Sequence, residues 1–176
     1  VLDVVMNAKV QRPGVCNAME TLLYHQHLPR NLIAQIVEKL EQAGVEIRAC
    51  KKTKKKFPHL KLATQRDFHT EYLDKILSMK MVENVDEAIE HIQTHGTHHT
   101  ESILSTSQGN IEKFLNQIDA SCLMVNASTR FNDGGELGLG AELGISTSKF
   151  HSYGPMGAAE MTTSRFLVKG DYHIRK

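Results

Sequence analysis

Cys16 stands in the run Gln11-Arg12-Pro13-Gly14-Val15-Cys16-Asn17-Ala18-Met19-Glu20. A cysteine held as thiolate attacks carbonyl carbons at neutral pH, which makes this residue the first candidate for chemistry. Pro13 suits a first helical position because it wastes no N–H and its φ is already helical. Val15, Ala18, Met19, Leu22 and Leu23 follow at helical spacing, so the pattern predicts a helix from Pro13 to about His27 with the thiol in its first turn. Free backbone N–H groups and the positive dipole end would favour the thiolate there. The alternative is a cysteine that serves as a small buried apolar residue.

Other residues invite weaker readings. His91 and His95 are four apart on one predicted helix face, with His98 and His99 close behind. No HExxH pattern accompanies them, so polar helix-end surface is preferred and no metal is expected. Glu71 lies just before a predicted strand, and Arg130 lies in a glycine-rich stretch where a guanidinium could meet a carboxylate or phosphate. Lys51 to Lys56 is a dense basic run without interleaved aromatics, read as a solvated loop and not as a nucleic-acid contact. No GxGxxG links a strand to a helix: Gly134-Gly135 and Gly138-Leu139-Gly140 fail that context, so a dinucleotide fingerprint is not encoded here.

The elements that must position these groups alternate. Val1 to Met6 reads as a buried strand, and a chain that begins inside a core strand points to a piece of a longer polypeptide. A helix is predicted over 30–43, closed by Gly44, and strands over 45–49 and 76–82. A helix near 85–95 is N-capped at Asn84 or Val85-Asp86 and closed by Gly96. A strand at 102–105, a helix at 109–118 and a strand at 122–125 follow. This rhythm argues for an α/β fold, a mainly parallel sheet with helices on both faces. Residues 126–157 are glycine-rich and long for a connection, as functional loops are. The tail from Ser164 to Tyr172 reads as an orphan strand, suited to pairing with a partner's sheet edge.

Bulk composition sets the outer bounds. The 176 residues carry a formal net charge of +1, with 40% hydrophobic and 23% charged residues. That is a soluble globular composition with no global field toward nucleic acid or membranes. No apolar run reaches membrane-spanning length. Three cysteines, at 16, 50 and 122, are an odd and sparse set, pointing to reduced thiols in the cytoplasm.

Two long motifs then carry a resemblance. Residues 7–23, from Asn7-Ala8-Lys9 through Cys16 to Leu23, together with Val125-Asn126-Ala127-Ser128-Thr129-Arg130-Phe131 and Gly138-Leu139-Gly140-Ala141-Glu142, closely resemble the gamma-glutamyl phosphate reductase family of the aldehyde dehydrogenase superfamily. The resemblance implies an aldehyde dehydrogenase-like catalytic domain over 1–160, a C-terminal strand or oligomerisation arm over 161–176, and a cofactor domain absent from this chain. It further implies NADPH-dependent reduction of L-glutamyl 5-phosphate to L-glutamate 5-semialdehyde in proline biosynthesis, in a homo-oligomer. Cys16 would be the nucleophile, with the N–H groups of Cys16 and Asn17 at the oxyanion. Glu71 would meet the nicotinamide ribose, and Ser128, Thr129 and Arg130 would line the substrate pocket. The isolated chain is expected to be inactive. One departure stands out: Tyr153 occupies the place of an arginine usual in the family. The rival reading is a non-catalytic oligomerisation or interaction module of the same fold.

Overall fold

The computed structural model describes residues 1–175. Its centre is a four-stranded, wholly parallel sheet in the order β1-β4-β2-β3. The strands are β1 (Thr21–His25), β2 (Glu46–Ala49), β3 (Lys61–Leu62) and β4 (Ile76–Val82). In β4, Leu77 and Met79 point to one face and join Ile33, Ile36, Val37 and Leu40 of helix α2 (Arg30–Gln42) in the main core. Ser78 and Lys80, alternating with them, point to the other face. There Ser78 donates to the Asp67 carbonyl and Lys80 meets His91 of helix α4 (Val85–His95). Helices therefore cover both faces, as the alternation of elements predicts.

The local signals explain most element ends. Gly44 follows α2 with φ +79, a conformation that glycine adopts without strain. Asn84 caps α4, its side chain accepting from the Glu87 N–H at 2.9 Å. A second βαβ unit pairs β5 (Thr100–Ile103) with β6 (Cys122–Val125) in parallel, joined by α5 (Gln108–Gln117). Ile89, Phe114 and Ile118 form its smaller core. The glycine-rich segment holds a 3-10 helix at Thr129–Phe131 and an antiparallel pair, β7 (Gly144–Ser146) and β8 (Gly154–Met156).

Four expectations are corrected. Residues Leu2–Val10 form helix α1, not a strand. Leu2, Val5 and Met6 share one helical face packed on the main core, and this packing outweighs the β-branched composition. No helix follows Pro13: the chain turns, then runs as β1 in register with β4 from Thr21↔Ser78 to His25↔Val82. A short apolar run fits both periods, and pairing with a central strand decides. The basic run forms a six-residue helix, α3 (Lys51–Lys56). Thr53 is its buried anchor and the Cys50 sulfur caps it, so the lysines are solvated on a helix and not in a loop. The tail over 164–172 forms no strand among the described residues. A strand requires a partner for its ladder, and this segment pairs with no strand among the described residues. No helix among the described residues is long and apolar enough to cross a membrane.

Candidate active site

Cys16 sits in the turn Val15–Ala18, which is closed by the Ala18 N–H donating to the Val15 carbonyl at 3.0 Å. Pro13-Gly14 turns the chain after α1, and the Met19 N–H donates to the Ala8 carbonyl at 2.9 Å, tying the turn to that helix. The thiol thus owes nothing to a helix dipole. Cys16 is exposed, yet partial desolvation, followed by the carboxylates of Glu142 and Glu71, pushes its thiol up from the ordinary 9.0. The backbone N–H groups of Cys16 and Asn17 act in the opposite direction. The expected thiolate-favouring helix end is replaced by two N–H donors set against two carboxylates.

A cavity of about 560 Å³ opens beside the sulfur, lined by Cys16, Asn17, Glu71, Glu101 and Thr129 among others. Glu71 is exposed at its rim. Ser128 and Arg130 do not line it. Ser128 is buried and caps the 3-10 helix, its hydroxyl accepting from the Arg130 N–H at 3.3 Å. The Arg130 guanidinium donates to Gln11 Oε1 at 2.7 Å and to Asn17 Oδ1. Tyr153 donates to the His98 carbonyl at 3.3 Å, approaches the Asp119 carboxylate at 3.5 Å and does not line this cavity.

Three functional candidates escaped the sequence. Glu142 accepts from the Gly134 N–H at 3.1 Å, which folds the glycine-rich loop toward Cys16. Its place in the Gly138–Glu142 motif was the available signal. Asn132 is fully buried; its carbonyl accepts from Asn17 Nδ2 at 2.9 Å and its amide donates to Thr100 Oγ1 at 2.7 Å. Glu101, on β5, is pushed up to about 7 by burial alone, and a lone carboxylate in a strand gives no sequence signal. The histidines also change meaning. His91 and His99 are buried and not surface groups, while the His95 ring lies tilted against that of His69, with ring centres 4.1 Å apart. Among the described residues no group of three or more His, Cys, Asp or Glu is arranged to hold a metal ion.

No protein-family model matches the chain. The curated gamma-glutamyl phosphate reductase of Thermotoga maritima is 53% identical over 99% of the chain. That of Caldanaerobacter subterraneus is 52% identical over the same share. The crystal structure of the Thermotoga maritima protein superposes with a TM-score of 0.92, covering 99% of this chain and 42% of that one. An acetylating aldehyde dehydrogenase from Geobacillus thermoglucosidasius, only 15% identical, shares the fold with a TM-score of 0.66 over 99% of this chain and 48% of its own. The chain spans 42% of the length of the curated relatives it matches. Over that span the chain is similar in sequence and in fold to gamma-glutamyl phosphate reductases, and it shares its fold with an acetylating aldehyde dehydrogenase.

Proposed function

We propose that this chain carries the thiol half-site of an NADPH-dependent reduction of L-glutamyl 5-phosphate to L-glutamate 5-semialdehyde and phosphate, in proline biosynthesis in the cytoplasm. The observation that carries the reading is the Cys16 sulfur, exposed at a cavity and facing the N–H groups of Cys16 and Asn17. Three free cysteines fit a reducing compartment.

In this reading Cys16 Sγ attacks the acyl carbon, the carbon–oxygen bond to phosphate breaks, and inorganic phosphate leaves with its electron pair. The two N–H groups that face the sulfur also reach the developing oxyanion. A nicotinamide cofactor, when bound, supplies the hydride that takes the thioester to the aldehyde level. Collapse of the Cys16 thiohemiacetal then releases aldehyde and regenerates the thiolate. Glu71, at the cavity rim, fits an acceptor for ribose hydroxyls. A glycine-rich strand-to-helix turn for the pyrophosphate is absent among the described residues. Thr129 contributes to the cavity wall, and Ser128 and Arg130 frame the loop that presents it.

The unit over 1–160 would be the catalytic domain and 161–176 an assembly arm. Phe166, Val168 and Tyr172 are 97%, 91% and 99% exposed, which supports pairing of this arm with a second copy. The deciding experiment is Cys16→Ala in the complete protein, assayed as NADPH formation from glutamate 5-semialdehyde, NADP and phosphate. A loss of about a thousandfold or more is expected. Retained turnover overturns the reading in favour of a non-catalytic module.

A further inference from the structure

We infer that Arg130 is a positioning residue for the Cys16 thiol, acting through Asn17, and not a receptor for the anionic substrate; the inference rests on the assignment of Cys16 as nucleophile. Asn17 is buried and directly follows the cysteine. Both ends of its side-chain amide are engaged: Nδ2 donates to the Asn132 carbonyl at 2.9 Å and Oδ1 accepts from Arg130 Nη1. The same guanidinium donates through Nε to Gln11 Oε1 at 2.7 Å. Gln11 ends α1 and Asn17 lies past the turn, so one rigid planar group spans the segment that displays the thiol.

The bracing continues into the sheet. Asn132, fully buried, donates from Nδ2 to Thr100 Oγ1 at 2.7 Å on β5. The cysteine turn is therefore held on one side by α1 and on the other by β5, through Arg130 and Asn132. Arg130 stays behind the cavity wall, whereas Thr129 lines the cavity. A guanidinium with two directed bonds to Gln11 and Asn17 is committed to geometry. What it contributes at the sulfur is the aim of the Cys16 and Asn17 N–H groups, which oppose the carboxylates of Glu142 and Glu71 there.

The test compares Arg130→Ala, Arg130→Lys and Asn17→Ala with the parent in the complete protein. Iodoacetamide labelling of Cys16 is followed against pH by peptide mass spectrometry, with Cys122 as internal control, alongside steady-state kinetics. Loss of a hydrogen bond to a charged sulfur predicts about a tenfold slower Cys16 labelling at pH 7 in Arg130→Ala. The labelling profile should move to higher pH, and kcat should fall with KM little changed. Lysine, able to reach one of the two acceptors, should restore part of the rate. The Arg130→Ala, Asn17→Ala double variant should be no worse than either single, because both break one linkage. Unchanged or faster Cys16 labelling with a raised KM would make Arg130 an anion receptor and overturn the proposal. Labelling of Cys122 rising in the same variants would show general loosening and overturn it equally. If Cys16→Ala leaves turnover intact, the catalytic reading fails, while the labelling profiles still decide whether Arg130 positions the thiol.

Discussion

At the scale of single residues, the sulfur of Cys16 sits between opposing influences. Desolvation and the carboxylates of Glu142 and Glu71 raise its pKa, and two backbone N–H groups lower it. The thiolate is the form that is alkylated, so with its thiol pushed up from the ordinary value the labelling of Cys16 should rise as pH is raised. Glu142→Gln removes one of the two opposing charges. It should speed iodoacetamide labelling of Cys16 at pH 7 and move the profile to lower pH; peptide mass spectrometry reads both. Slower labelling would mean that Glu142 matters more as the acceptor for the Gly134 N–H than as a charge. The cysteine after Pro-Gly was legible in the sequence, and Glu142 only as the last residue of a glycine motif with no role attached. Their effect on one another was not, since 126 positions separate Cys16 from Glu142 and only folding makes them neighbours.

At the scale of elements, α4 packs against β4 through a histidine that the helical period places inward. Burial, then the Lys80 ammonium, presses the His91 imidazole down to about 3. Its folded pKa lies below the unfolded value of 6.5, so the folded state binds fewer protons there. The stability held by the neutral ring is fully present above about 6.5 and is lost as pH falls through that value toward about 3. Urea midpoints should therefore decline between pH 7 and 4, and His91→Leu should flatten that decline. An unchanged slope in the variant would place the acid sensitivity elsewhere. Helix α4 was legible near 85–95, and of the two cap sites the sequence offered, Asn84 and Val85-Asp86, the structure uses Asn84. The segments Val1–Met6 and Pro13–His27 were not, because each is short enough for its apolar residues to suit either period. Their assignment came from the core facing α1 and from the β4 edge that accepts β1.

At the scale of the whole molecule, the described chain ends in a segment whose large apolar side chains meet only solvent. Ile174 is 81% exposed and Leu167 76%. Deleting residues 161–176 from the complete protein is expected to lower the mass seen by analytical ultracentrifugation and leave the melting temperature of the central sheet nearly unchanged. A full-sized assembly in the truncated protein would remove the arm from the assembly reading. The sequence reading of this segment as a strand is not met among the described residues.

The sequence by itself determined the parallel α/β architecture and the helices at 30–42 and 85–95, and it singled out Cys16 as the candidate thiol. These follow from periodicities, caps and turn residues that act over a few positions. The tertiary structure alone decided that Cys16 rides on a turn and not a helix, that Glu142 and Glu71 oppose its ionisation, and that Arg130, expected in the substrate pocket, is bonded to the cysteine turn and does not line the cavity. Hydrogen bonds such as that from Arg130 to Gln11 close a loop of 119 residues. No local signal encodes such contacts, which form only when the β1–β4 pairing and the glycine-rich loop bring both ends of the chain to one cavity.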